Sequence, residues 1–237
     1  DGVRPIVVGS GPAGMFAGLA LAEAGLRPII IERGDEVDMR RRKVDYFWQS
    51  GILDDESNVQ FGEGGAGTFS DGKLATGINS PYIQFVLDSF YHFGAPEEVT
   101  YVSHPHIGTD NLQKILVNIR KYIEERGGKY YFNTCLREIK AENGIIRLLC
   151  NDREFVTDAA VLAIGHSSRD TYRMLAEKNF AMKRKDFSIG VRIEHLQSEI
   201  DKAQYGENTT LQLPAAEYRL VYHDSETKRV CYTFCMC

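Results

Sequence analysis

Between Asp110 and Arg126 the apolar residues Leu112, Ile115, Leu116, Ile119 and Ile123 recur every three or four positions, the period of a helix with one buried face. Asp110 with Gln113 makes a capping-box-like start and Gly127 suits the C-cap, so a helix is predicted over 110–126. Other apolar residues come as short unbroken runs: 5–8, 29–31, 129–132 and 159–164 are predicted as buried, parallel strands. Gly14, Gly18 and Leu21 form the small face of a first helix that Gly25 ends, and further helical stretches are expected over 36–49 and 81–93. Segments 136–141, 145–150 and 153–156 are short strands, and Asn143-Gly144 between the first two is a strong hairpin signal. From Lys183 onward the pattern becomes antiparallel-like, with Ser225 to Lys228 as a hairpin turn and 230–237 as a last strand. The expected fold is α/β, a Rossmann-like parallel sheet with a β-meander crossover, followed by the start of an antiparallel domain. The expected domains are 1–181, which binds a nucleotide, and 182–237, a partial substrate-facing α+β domain.

The turn after the first strand gives this architecture a chemistry. Gly9-Ser10-Gly11-Pro12-Ala13-Gly14 follows an apolar strand and opens a helix, and the next strand, 29–31, ends on Glu32. Strand, glycine turn, helix, strand and acid together define a dinucleotide site. Gly9 allows the tight turn, Gly11 lets backbone approach a pyrophosphate, and Gly14 lets the helix lie against the sheet. The helix N-terminus offers unpaired N–H groups and a positive dipole end, and Pro12 lacks only an N–H that would be unpaired anyway. Glu32 suits a ribose diol and disfavours a 2′-phosphate, although the adjacent Arg33 keeps NADP in consideration. FAD and NAD both fit, and the form of the glycine run, with Gly18 one turn after Gly14, looks like the version flavoproteins favour.

A second literal GxGxxG, Gly62 to Gly67, has no long apolar strand before it and no amphipathic helix after it. It is expected to be backbone lying close against a ligand, with the Thr68 and Ser70 hydroxyls and Lys73 nearby. The run Glu56 to Leu74 that contains it resembles the signature of the uncharacterised FAD-dependent, or NAD(FAD)-utilising, dehydrogenases. Stretches 101–109, 161–171, 187–195 and 232–237 resemble the same family. The resemblance implies a glutathione-reductase-like FAD fold and an FAD-binding oxidoreductase, with NAD(P)H a compatible electron donor and the substrate unspecified. It implies cofactor contacts at Gly9, Gly11, Pro12, Ala13, Gly14, Glu32, Arg33, Arg40, Gly64, Gly65, Ala66, Thr68, Leu136, Ala163 and Gly165. Within that set Arg40 is expected at the pyrophosphate and backbone at Leu136 against the adenine. No catalytic residue is assigned; His166, just after the Ala163-Ile164-Gly165 turn, and Lys73 are the candidates. Relatives in that family continue past Cys237 to a last flavin-contacting turn, so the chain is expected to be a fragment retaining the adenosine and pyrophosphate part of the site.

Bulk numbers narrow the alternatives. With 237 residues and 43% hydrophobic content the chain can bury a full core, and its net charge of −5 gives no footprint for nucleic acid. That disfavours a flavin-dependent tRNA-modifying protein; a non-catalytic nucleotide-binding module is the other alternative. No run approaches a membrane span and no signal pattern is present. Five cysteines without such a signal suggest reduced thiols and a cytoplasmic setting. None lies between Arg33 and Thr134, which argues against a dithiol reductase. Cys231, Cys235 and Cys237 share one strand face and are expected to be inert. His104 and His106 flank Pro105 without further ligands, so no metal is expected. The expected partners are a small-molecule substrate or an electron donor.

Overall fold

The computed structural model describes residues 3–70, 72–74, 76, 78–102, 107–151, 153–207 and 212–233. The chain divides into two units, Asp1–Met182 and Lys183–Cys237. In chain order the first carries β1 (Ile6–Val8), α1 (Pro12–Glu23), β2 (Ile29–Ile31), α2 (Val37–Ser50), α3 (Tyr82–His92), α4 (Thr109–Glu125) and β3 (Lys129–Tyr131). It continues with β4 (Leu136–Glu142), β5 (Ile145–Cys150), β6 (Arg153–Thr157), β7 (Ala160–Leu162) and α5 (Arg169–Glu177).

The short apolar runs became one parallel sheet in the order β3-β2-β1-β7, with Val7 opposite both Ile30 and Val161, and Ile30 opposite Tyr130. The central strands β1 and β2 are unbroken because both faces are covered, whereas the edge strands β3 and β7, expected to be buried, are only partly so, with Lys129 and Val161 exposed. Val7 and Ile30 pack with α1 and α4, whereas Ile6, Val8 and Ile31 pack with Leu136, Ile139, Leu148 and Cys150 of the meander. The two layers follow from the strand period of two. All five periodic residues of α4 are buried, and burial of fully enclosed side chains such as Ile119 and Ile123 contributes roughly 2 kcal/mol each. The meander is the antiparallel sheet β4-β5-β6, and its first hairpin turns through Asn143 and Gly144, both at positive φ.

In α2 the buried stripe is Val37, Arg40 and Val44, so an arginine stands where an apolar residue is usual. The basic run 40–43 is therefore not one solvated face: Arg41 and Arg42 are exposed, Lys43 is half-buried and Arg40 is enclosed. Trp48 is largely exposed. Lys43 ties α2 to the chain on both sides of it, with Nζ 2.6 Å from Asp35 before the helix and 2.8 Å from Asp54 after it. Burial pushes both carboxyls up, but hydrogen bonds from Lys43 and neighbouring donors outweigh it and hold each below its ordinary 3.8. Their contribution is thus present above the unfolded value and lost as pH falls through the lowered folded values. Lys43 is raised chiefly by its hydrogen bond to Asp35, so its contribution holds below 10.5 and is lost in stronger alkali. Lys43→Met is expected to cost about 1 kcal/mol at neutral pH, a modest figure because Lys43 and Asp54 are partly solvated. Urea unfolding below pH 3 is expected to show a smaller difference.

The second unit was expected to be α+β, with antiparallel strands located but no helix placed. It contains a helix as well, α6 (Gln197–Tyr205), and a two-stranded hairpin, β8 (Val221–His223) with β9 (Val230–Tyr232). The hairpin turns between Asp224 and Arg229, around the predicted 225–228. Asp201 of α6 accepts from Gln197 Nε2 and from the Ala216 N–H, both at 2.8 Å, which ties the helix to the chain leading into β8. Cys231 lies in β9 as a free thiol, while Cys235 and Cys237 lie outside the described residues, as do His104 and His106.

Candidate functional site

The turn from β1 into α1 is closed by two glycines. Gly9 has φ +99°, and a Cβ there would stand 2.4 Å from Ala163 O. A Cβ on Gly14 would stand 1.8 Å from Gly9 O, so only glycine lets α1 lie this close to the turn. The helical ladder begins with Met15 N–H donating to Gly11 O at 2.8 Å, which leaves the preceding N–H groups of the first turn without helical acceptors. The sheet order reverses at β1, between β2 and β7, and a cleft opens at the carboxyl ends of these three strands. Its volume is about 480 Å³, within the ordinary range for small-molecule sites.

Most residues expected at the cofactor line this cleft. Gly9, Gly11, Pro12 and Ala13 form its floor, Glu32 and Arg33 the β2 side, and Leu136 the meander side. Gly65 and Ala66 come from the glycine loop, Ala163 and Gly165 from the chain after β7. The two glycine turns meet: a Cβ on Gly65 would stand 2.9 Å from Gly11 Cα. His166 lines the cleft too, and Ser167 beside it donates to Gln60 Oε1 at 3.2 Å.

Four expected contacts lie elsewhere. Gly14 serves helix packing. Gly64 donates its N–H to Ser10 O at 2.9 Å, and a Cβ there would strike Thr68 Oγ1 and Leu116 Cδ1. Thr68 is fully buried and donates to Glu63 O at 2.7 Å. Arg40, expected at a pyrophosphate, is also fully buried and does not line the cleft. Its guanidinium donates to Asn58 O (2.8 Å), Val59 O (3.0 Å), Glu63 O (2.6 Å) and Thr68 Oγ1 (2.9 Å). Burial pulls it down to about 10, against the opposing charges of Glu32 and Glu63. It is a strut that fixes the carbonyls of the glycine loop inward. Glu63 completes the frame: Oε2 accepts from the Val37 N–H that opens α2 at 2.8 Å, and Oε1 from Arg120 Nε at 2.7 Å. Burial pushes the Glu63 carboxyl up, partly offset by Arg120 and that N–H.

Glu32 is bound more tightly than a free ribose acceptor. Oε2 accepts from Ser10 N (2.7 Å) and Ser10 Oγ (3.0 Å), and Oε1 from the N–H groups of Gly34 and Gly62, both at 3.0 Å. Its four acceptor positions are filled, so a ribose hydroxyl has to share or replace the Ser10 hydroxyl. Glu32→Gln turns two of these acceptors into donors facing N–H groups. It is expected to cost about 2–3 kcal/mol in urea unfolding, more than loss of a ribose contact alone.

Gln60, Phe61, Thr134, Cys135, Ser168 and Thr171, none of them singled out as a contact from the sequence, also line the cleft. They come from loops and one helix turn with no period to read. Among the described residues, no group of three or more His, Cys, Asp or Glu is placed to hold a metal. No described helix is long and apolar enough to cross a membrane.

A parallel sheet whose strand order reverses over a glycine turn and a helix N-terminus defines a dinucleotide-binding protein of the Rossmann type. Residues 4–53 match the family described as FAD binding domain, and residues 186–237 match the one described as FAD-dependent protein, C-terminal domain-like. These two segments are what the chain shares with FAD-dependent proteins. An uncharacterised protein of Clostridium beijerinckii is 51% identical over 236 residues, covering 99% of this chain and 44% of its own length. The chain thus spans less than half of the curated relative it matches. Among solved structures, thioredoxin reductase of Lactococcus lactis is 16% identical with a TM-score of 0.36, over 68% of this chain and 34% of that one. A 3-ketosteroid dehydrogenase of Rhodococcus jostii RHA1 is 13% identical with a TM-score of 0.43, over 68% and 45%.

Proposed function

We propose that the chain holds FAD in the cleft above α1 and belongs to a flavin-dependent dehydrogenase that takes electrons to or from a small molecule. The observation that carries this is the pair of glycine turns meeting over the start of α1, the first of which lies in a segment that matches an FAD-binding family. The group fits the residues present. Gly11 leaves space that a side chain would fill, Gly65 lets the glycine loop lie against that turn, and the first-turn N–H groups of α1 suit a pyrophosphate. Gly9, Gly11, Pro12 and Ala13 would hold the phosphates, Glu32 with Ser10 the adenosine ribose, and backbone at Leu136 the adenine. Gly65 and Ala66 would lie along the remainder, with Ala163 and Gly165 facing them. Bound FAD supplies the hydride and electron chemistry that side chains lack. Arg40 and Glu63 keep the glycine loop rigid, and Gly14 keeps α1 against the turn. NAD(P)H is the proposed electron donor.

Anaerobic mixing of FAD-loaded protein with NADH tests the redox part. The visible flavin band is expected to bleach faster than that of free FAD at the same concentration. Bleaching no faster with NADH, NADPH or a panel of small alcohols and acids contradicts a dehydrogenase role for this chain.

A further inference from the structure

We propose that Glu56, Asp170 and Arg137 make the cleft selective for adenosine nucleotides with a free 2′-hydroxyl, by locking Arg33 into a charge-neutral ring. The inference rests on the dinucleotide reading of the cleft and adds its ribose selectivity. Arg33 follows the acid at the end of β2, where an arginine can accommodate a 2′-phosphate, and its side chain lines the cleft. By position alone it would admit 2′-phosphorylated nucleotides. Four of its five donors are spent elsewhere. Nε donates to Glu56 at 2.9 Å, Nη1 to Asp170 at 3.2 Å, and Nη2 to both Asp170 and Cys135 Sγ, the latter at 3.1 Å. The Phe61 ring covers one face of the guanidinium, 4.4 Å away.

Arg137 closes the ring, with Nη2 2.9 Å from Glu56 and Nη1 3.8 Å from Asp170. Two arginines and two carboxylates sum to zero charge. They reach the rim from four places in the chain: the end of β2, the loop after α2, β4 and the first turn of α5. Asp170 in that first turn also offsets the positive end of α5. An incoming 2′-phosphate therefore finds at most one uncommitted N–H on Arg33, at Nη1, and has to displace a carboxylate to gain a two-donor contact, with Glu32 adding repulsion beside it. Glu32 is only 4% exposed, so solvent screens this repulsion weakly.

Isothermal titration with ADP and with 2′-phospho-ADP at low ionic strength tests the ring. The wild type is expected to prefer ADP by about tenfold or more. In E56Q/D170N the ring carries two uncompensated arginines, and the preference is expected to fall within about threefold or reverse. E56Q alone is expected to fall between, and serves if the double variant does not fold. Equal affinities in the wild type overturn the proposal, as does an unchanged preference in a variant that still binds ADP. Failure of the wild type to bind either nucleotide overturns the dinucleotide reading itself, and the proposal with it.

Discussion

Gly14→Ala is expected to destabilise the first unit by about 3 kcal/mol or more, whereas Gly11→Ala is expected to leave stability within about 0.5 kcal/mol and weaken FAD binding at least tenfold. The two glycines are three residues apart in one turn, yet they do different work. A methyl on Gly14 would stand 1.8 Å from Gly9 O and 2.8 Å from Gly9 C, both backbone atoms that cannot rotate away. Relief requires α1 to lift off the sheet, which breaks its contact with Ile30 through Gly18 and with Ala163. A methyl on Gly11 meets only Gly65 Cα, at 3.7 Å, an ordinary contact, and Gly11 has φ −67°, which alanine adopts freely. The rest of that methyl projects into open space on the cleft floor. Urea unfolding of both variants, followed by FAD titration of each, separates the two effects. Equal stability losses would contradict the division of roles.

Arg40→Met is expected to cost about 3–5 kcal/mol, among the largest effects of any single substitution outside the hydrophobic core. Methionine fills much of the volume but provides no donor, so the carbonyls of Asn58 and Val59 lose the guanidinium and that of Glu63 keeps only the Thr68 hydroxyl. It also leaves the Glu32 and Glu63 carboxylates without a cation that faces both. Arg40→Lys keeps the charge but replaces a planar fork with one ammonium, which cannot span acceptors on both sides of the loop. It is expected to recover less than half of the loss. Hydrogen exchange at residues 58–68 should show the lost protection first, because the strut acts on that loop. Binding of FAD should weaken in step, since Gly65 and Ala66 lie on the loop's cleft side. Normal affinity and normal exchange in Arg40→Met would remove the strut from the account.

The sheet and its first crossover were legible because their signals are local. Ile6–Val8, Ile29–Ile31 and the turn between them carry strand, glycine and helix in one stretch, and α4 repeats its apolar stripe over five positions. Asn143-Gly144 names its own turn. Helices α5 and α6 escape the pattern because each is only nine residues long and little of it is buried: α5 buries Thr171 and Leu175, and α6 buries nothing. The site was half legible. Glycines whose job is set by the next few residues, Gly9, Gly11 and Gly14, could be assigned from the turn. Gly64, Thr68 and Arg40 could not, because their direction is decided by Ser10 and Leu116 and by loop carbonyls 18 to 23 residues from Arg40. An arginine in a basic run reads as solvated until the acceptors that enclose it are known. The Arg33 ring is less legible still, joining residues 33, 56, 137 and 170, with no spacing that a sequence period would report.

The most direct test of the central claim is calorimetric titration of FAD into the purified wild-type chain and into Gly11→Ala, whose fold is expected to be intact. One FAD per wild-type chain, displaced by excess ADP, with binding by Gly11→Ala weakened at least tenfold, is the predicted result. No binding of FAD or ADP by the wild type, or equal binding by both proteins, would contradict the placement of FAD in the cleft above α1.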